Sequence, residues 1–257
     1  MYARVEGVGC GNTYSIEGLR PARGWRLPRN GRARLKRQLR RTAAAFATAG
    51  AALALLAGCG APAYQYAADN ADHAYFKVPT TWPQVSPDKV AAIQTSLLTN
   101  SAAGPQGGSF IWSRAYSGVQ APALSTLLVG SHTPAVYASV QNLKDALRSA
   151  LSFDEMRDLL FPVTSQARQA AQAAGDTITG FALVSSTVIS EAGGIHGINE
   201  LYEFDVGGLP DAFDQTVLTN SDTTKLYLLL VQCYQDCFAS HAAQIKAVVD
   251  SFTVRGS

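Results

Sequence analysis

The stretch "LYLLLVQ", Leu226 to Gln232, is apolar on both of its alternating faces. A strand of that pattern belongs in the middle of a sheet, with cover on both sides. Just downstream, Phe238, Ala242, Ile245, Val249 and Phe252 recur at intervals of 4, 3, 4 and 3. That spacing predicts one apolar stripe along a helix that docks on the sheet. Between strand and helix lies "VQCYQDCF", with Cys233 and Cys237 where the chain turns from one element into the other.

Working back from this stretch, the C-terminal half reads as a run of antiparallel strands. "FDQTVLTN" is a strand between the turns "GGLPDA" and "SDTTK". In "INELYEFDV", Ile198, Tyr202, Phe204 and Val206 alternate with polar residues except at Leu201, as in a half-buried strand. "DTITGFALVSSTVIS" is rich in β-branched residues and joins it through the Gly-rich "EAGGIHG". Further back, "NLKDALRSALSFDEMRDLLFP" is the most helix-like internal stretch. Ser152 is placed to cap a second turn before Glu155, and Pro162 ends the run. "SFIWSRAYS" alternates through Phe110, Trp112 and Tyr116, and "TLLVGS" and "AVYASV" read as two more strands. Residues 87–98 predict a short helix. Before them, "YFKVPTTWP" holds a strand from Tyr75 to Val78, with Trp82 in the turn that follows. The sum is an α+β domain over residues 74–257, an antiparallel sheet flanked by helices.

The N-terminal part is of another kind. Residues 1–41 carry eleven Lys or Arg against two acids, whereas residues 60–257 carry ten bases against seventeen acids. The basic head "RGWRLPRNGRARLKRQLRR" has no aromatic platform or fold of its own for nucleic acid, and no nucleic-acid partner is expected. It is followed at once by the uncharged run Thr42 to Gly58, and basic-then-apolar is the order of an export signal. Leu56, Ala57, Gly58 and Cys59 resemble the lipobox of bacterial lipoproteins. There a small residue precedes a cysteine whose thiol takes a diacylglycerol thioether, with palmitate among its acyl groups, before the preceding bond is cut. Residues 1–58 therefore predict a cleaved lipoprotein signal peptide, and residues 59–73 a lipidated cysteine with a flexible tether. An uncleaved signal anchor, or a buried helix with a structural cysteine, are the alternatives. Some thirty residues stand ahead of the basic cluster, which is long for a signal peptide and predicts that translation starts nearer that cluster. Arg40-Arg41 is a weak twin-arginine match because "TAAA" follows it.

Removing that head changes the cysteine count. Cys10 goes with it and Cys59 carries lipid, which leaves Cys233 and Cys237. In an exported domain, two lone cysteines four apart predict a disulfide that fixes the strand-to-helix corner. The spacing is not that of a redox C-x-x-C, and no second Cys or His pair stands at metal-ligand spacing.

The mature chain from about Tyr75 to Val254 resembles the LpqN-like lipoproteins of actinobacteria, which have the Mog1/PsbP-like fold. The likeness lies in "YFKVPTTW", the "SFDEMRDLL" helix, the run of strands and the closing "AQIKAVVDSFTV". It implies a non-catalytic envelope protein that binds proteins or lipid and glycolipid ligands.

Chemistry-bearing motifs are scarce. There is no G-x-S-x-G elbow, Walker A loop, dinucleotide Gly motif or H-E-x-x-H. No cofactor and no metal are expected. The weak ligand candidates are Glu191, His196 and Glu200 around a glycine-rich loop, and the aromatics Trp82, Trp112 and Tyr116. Trp82, Trp112 and Tyr116, with Tyr202 and Phe204, are more often core than pocket. The expectation is a lipid-anchored protein on the extracytoplasmic face of the cell membrane. It works as a non-enzymatic binding module for an envelope lipid, glycolipid or protein. A structural or assembly subunit of a membrane complex, or an envelope hydrolase, are the alternatives.

Overall fold

The computed structural model describes residues 62–100, 108–123, 127, 130–175, 179–206 and 208–255. The lipobox, Cys59 and the signal segment lie outside the described residues. The strands are β1 (Tyr64–Asp69), β2 (Ala74–Pro79), β3 (Gly108–Ser117), β4 (Ala135–Leu143), β5 (Thr179–Ser190), β6 (His196–Val206), β7 (Leu209–Thr219), β8 (Lys225–Tyr234) and β9 (Thr253–Val254). The helices are α1 (Pro87–Asn100), α2 (Asp145–Ala150), α3 (Phe153–Arg157), α4 (Ser165–Ala173), α5 (Gln235–Ser240) and α6 (Ala242–Val249). The architecture is α+β. A six-stranded sheet of order β3-β4-β8-β7-β6-β5 and a three-stranded sheet of order β1-β2-β9 are both antiparallel throughout.

β8 is the strand that its sequence predicts, buried from Leu226 to Cys233. On one face Leu226 and Leu228 pack with Ile198, Val217, Val90, Ile93, Met156 and Leu159, beneath the helices α1 to α3. On the other, Leu229 and Val231 pack with Phe76 and Val78 of the small sheet and Ile245 and Val248 of α6. Apolar surface removed from water on both faces is what stabilises a strand of this composition at about 25 cal/mol per Å². Gly197 on β6 shows how closely the sheet is built. A Cβ there would stand 2.0 Å from Val217 O, so only glycine fits.

Several elements differ from the sequence reading. Residues 64–69, read as tether, form β1, which pairs with β2 from Tyr64↔Pro79 to Asp69↔Ala74. Its signal is weak because only Ala67 and Asp69 are buried, and Ala67 is small. The helix-like stretch 142–162 is two short helices, α2 and α3, because Ser152 takes an extended conformation and accepts a hydrogen bond from Glu155 N–H. α4 was not read from the sequence at all. It begins at a Thr164 cap that accepts from Ala167 N–H, and none of its residues is buried. In "TLLVGS", Gly130 and Ser131 are in no strand. Gly130 N–H instead donates to the buried Asp211 carboxylate of β7. The "GGLPDA" turn is shorter than expected, since β7 already begins at Leu209. The C-terminal stripe is carried by two helices, α5 and α6, broken at His241; Ile245 is buried and Phe238, Val249 and Phe252 partly so, but Ala242 is exposed and Val248, outside the stripe, is buried instead. Cys233 and Cys237 are joined by a disulfide at the β8–α5 corner, with Cα atoms 5.9 Å apart.

Candidate functional site

The largest concavity described is a groove of about 810 Å³ between α1 and β3. α1 is positioned by Pro87 at its start, where a missing N–H costs nothing, and by Asp88 in its first turn, which complements the helix dipole. Val90 and Ile93 bury in the core, which turns Ala91 and Gln94 toward the groove. The opposite wall is β3. Its register with β4 slips between Phe110 and Trp112, so that Ile111 is an extra residue in a β-bulge. The bulge leaves Phe110 and Trp112 half-buried and Ile111 exposed. Gln94 Nε2 donates to Ser113 Oγ at 2.8 Å and ties the helix to the strand.

The groove's chemistry is lopsided. Phe110 and Ile111 give it apolar side chains, Gln84, Gln94 and Ser113 polar ones, and Arg114 is the one charged residue among those lining it. Trp112 reaches its rim, with its ring edge-on against Phe76 of the small sheet. The Arg114 guanidinium stands 5.5 Å from the Trp112 ring, in cation–π range. An apolar body with an anionic or polar head matches that arrangement. Smaller clefts are present among the described residues. One of about 370 Å³ under α2 is lined mainly by Leu143, Leu147, Leu151, Leu159 and Leu226. Another of about 410 Å³ lies between α4 and β5, where Arg168 stacks 3.8 Å from the Phe181 ring.

Of the residues nominated from the sequence, only Trp112 lines the groove. Trp82 is 3% exposed and belongs to the core, its carbonyl accepting from Gln65 Nε2 at 2.8 Å. Tyr116 packs edge-on against Phe76 in the same cluster, and burial pushes its phenol up. Glu191 and His196 bracket the short turn between β5 and β6. Glu191 N–H donates to Ile195 O, and His196 Nδ1 to Gly194 O at 2.9 Å. Glu200 lies four residues further along β6, about 13 Å away at strand rise. The three do not converge. Among the described residues no group of three or more His, Cys, Asp or Glu side chains comes together as a metal site.

Glu200 has a different partner, one remote from it in sequence. It is fully buried, and its Oε1 accepts from Arg157 Nε at 3.0 Å and from Ser186 Oγ at 2.9 Å. Beside it Tyr202 OH donates to Gln215 Oε1, while Gln215 Nε2 donates to Met156 O. This network ties α3 and β5 to the interior of the sheet. Two other acids on β7 are shifted by burial. Asp211 and Asp214 are each pushed up to about 6, partly countered by the Gly130 N–H and the Asn199 amide. Ile111, Gln94 and Arg114 were also missed as groove residues. The signal was there in part: "FIW" places three large apolar residues in a row, which a regular half-buried strand does not do.

No family model matches the chain, and no curated protein matches it. Among solved structures it is similar to cyanobacterial PsbP (CyanoP) from Synechocystis sp. PCC 6803, at 15% identity and a TM-score of 0.44, covering 77% of this chain and 96% of that one. It is also similar to the Ran-binding protein Mog1p of Saccharomyces cerevisiae, at 8% identity and a TM-score of 0.38 over 75% of this chain and 96% of that one. A third similar structure is LpqN of Mycobacterium tuberculosis, a protein involved in cell envelope biogenesis. There the identity is 13% and the TM-score 0.37, over 75% of this chain and 92% of that one.

Proposed function

We propose that this protein is an exported lipoprotein, anchored through Cys59 at the extracytoplasmic face of the cell membrane. In this reading its domain binds an amphiphilic envelope component in the α1–β3 groove and carries out no catalysis. The observation that carries the binding reading is the groove itself, with Phe110 and Ile111 among polar neighbours and Arg114 as its lone charge. In a segment whose bases are outnumbered by acids, a single cation beside apolar side chains favours a ligand with an apolar part and an anionic head. The anchor rests on the LAGC motif behind a basic and apolar leader. Among the described residues no helix is long and apolar enough to cross a membrane.

Two experiments test the two halves separately. Cys59→Ser in a bacterial host is expected to abolish membrane retention and to accumulate precursor; unchanged size and membrane association would refute the anchor. For the groove, the full chain is titrated with lysophosphatidylglycerol below its micelle concentration, following tryptophan fluorescence. Arg114→Glu is expected to weaken binding about tenfold or more, while lysophosphatidylcholine binding changes little. Equal loss for both lipids, or no binding by the parent chain, rules out the groove as an anionic-amphiphile site.

A further inference from the structure

We propose that the outer face of the three-stranded sheet is a membrane-docking surface that lies on anionic phospholipid headgroups. This rests on the Cys59 anchor proposed above and adds the orientation in which that anchor holds the domain. Residues 59–73 read as a tether in the sequence, but β1 starts at Tyr64, and the chain is fastened just before it. Thr80 N–H donates to Ala63 O at 3.0 Å, and Thr80 Oγ1 to Pro62 O at 3.1 Å. Only Gly60 and Ala61 separate Cys59 from Pro62. Three residue steps span at most about 11 Å. A lipid on Cys59 therefore brings the bilayer surface within that reach of the end of the small sheet.

Strand alternation decides which face of that sheet is free. Gln65, Ala67 and Asp69 of β1 share a face with Ala74, Phe76 and Val78 of β2. Phe76 and Val78 are buried against Leu229, Val231 and α6. Tyr64, Tyr66 and Ala68 therefore point the other way, beside Tyr75 and Lys77. Thr253 of β9 pairs with Tyr75 and joins the same side. Tyr66 is 79% exposed, more than any other large hydrophobic side chain described. Lys77 Nζ stands 4.8 Å from the Tyr64 ring, and the Arg255 guanidinium 5.5 Å from the Tyr75 ring.

Both the tether and the chemistry of that face select a bilayer as the occupant. Residues 60–257 hold seventeen acids against ten bases, yet this face carries Lys77 and Arg255 and no acid. Asp69, the one acid within the three strands, turns inward and is buried. Tyrosine, apolar in its body and polar at its tip, collects at the membrane–water interface. Basic side chains are drawn to the negative surface potential of anionic lipid. Here each cation lies over a tyrosine ring, so the two kinds of side chain meet the headgroups together. A protein partner would have to displace a bilayer that the anchor already holds beside this face. The small sheet and the helices α1 to α3 lie on opposite faces of the six-stranded sheet. Docking through the small sheet thus turns α3, with its exposed Phe153, away from the membrane.

The test uses the full chain expressed in a bacterial host and purified into vesicles of equal parts phosphatidylglycerol and phosphatidylcholine. Mass spectrometry of the purified chain reports whether Cys59 is acylated. With Cys59 acylated and Cys233 joined to Cys237, an introduced cysteine is the free thiol of the mature chain. Tyr66→Cys, Ala68→Cys and, as control, Phe153→Cys are each labelled with an environment-sensitive fluorophore. Quenching by a lipid with a spin label in its headgroup is expected to be about fivefold stronger at positions 66 and 68 than at 153. Adding Lys77→Glu and Arg255→Glu to Tyr66→Cys is expected to cut that quenching about threefold, with little change in vesicles of phosphatidylcholine alone. Equal quenching at all three positions, or the strongest at Phe153→Cys, in an acylated and vesicle-bound chain overturns the docking face and leaves the anchor standing. So does a label at Tyr66→Cys that is shielded in the host's own membranes but not in protein-free vesicles, the mark of a protein partner. An unchanged signal in the charge-reversed chain overturns the anionic-headgroup assignment. A chain that is neither acylated nor retained on vesicles overturns the anchor and this orientation with it.

Discussion

The two edges of the six-stranded sheet are closed in opposite ways. At β3, Val85 N–H donates to Ala115 O at 2.8 Å and Ser117 N–H to Pro83 O at 3.2 Å, and Gln84 forms a bridge with Tyr116. This short segment covers the backbone of β3 from Ala115 to Ser117 only and leads into α1, and the space left between helix and strand is the groove. At β5 no described segment plays that part, and the strand's outer backbone groups face out. The half-covered edge presents side chains such as Ile111 and Arg114, and the bare edge presents backbone groups with no charged side chain beside them. The two ends of one sheet thereby differ in chemistry.

What holds the bare edge in place is open to a direct test. β5 is anchored beyond its ladder by Ser186, which shares the buried Glu200 carboxylate with Arg157. Removing one member of a buried ion pair strands the other charge in a poor solvent. Arg157→Ala is therefore expected to cost about 3–5 kcal/mol in denaturant unfolding. Ser186→Ala, which removes a neutral donor, should cost about 1 kcal/mol. If Arg157→Ala costs less than Ser186→Ala, the ion pair is not what fastens this end of the sheet. Replacing both Cys233 and Cys237 by Ala acts at the β8–α5 corner instead, away from either edge. The loop it opens is short, so the expected loss is about 2 kcal/mol, read from the unfolding midpoint.

Between the edges, β7 carries the pH response. Asp211 and Asp214 titrate near about 6 in the folded chain because burial disfavours their charged forms. Unfolded, they lose their protons at the ordinary carboxylate pH. Across the interval between those values the folded state binds more protons, so these two groups make stability fall as pH rises toward 6. Their penalty is fully present above about 6 and absent below the ordinary carboxylate value. Asp214→Asn, which keeps an acceptor for Asn199, is expected to raise stability at pH 7 by on the order of 1–2 kcal/mol and to flatten the profile between pH ~4 and ~6. An unchanged profile would mean that Asp214 is solvated in the folded chain.

The interior was more legible in the sequence than the margins, for a physical reason. β8, β6 and α6 bury full faces, and burial writes itself into apolar periodicity, as at Leu226 to Val231 or at Ile245 and Val248. β1 and α4 bury almost nothing, so their residues are free of that pattern, and small side chains such as those of Ala67 and Ala170 left none to read. Of the breaks inside periodic runs, the Ser152 cap was legible as a serine three residues before Glu155, whereas the His241 junction was hidden because the apolar stripe continues across it. For the groove, Trp112 was readable as an aromatic on a half-buried strand. Its neighbours Gln94 and Arg114 depended on where α1 came to lie, which no local pattern encodes. Glu200 failed for the same reason: its partner Arg157 stands on α3, far from it in sequence and on an element that periodicity merged with α2.

The smallest effects discriminate best between the two edges. Ile111 at the β3 bulge is 41% exposed and Val188 on β5 is 56% exposed, so lysine at either position keeps its ammonium in water. Neither substitution makes a cavity or strands a buried partner. Ile111→Lys and Val188→Lys are thus each expected to change monomer stability by no more than about 0.5 kcal/mol, measured at low protein concentration. Their functional readouts should then separate. Ile111→Lys puts a second cation beside Arg114 and alters the groove's apolar side chains, so it should change lipid titration. Val188→Lys, at the far edge of the sheet, should leave that titration unchanged. A loss above about 1.5 kcal/mol for Ile111→Lys would mean that the bulge is packed rather than open. In that case Ile111 belongs to the packing between α1 and β3 and the groove is narrower than its outline.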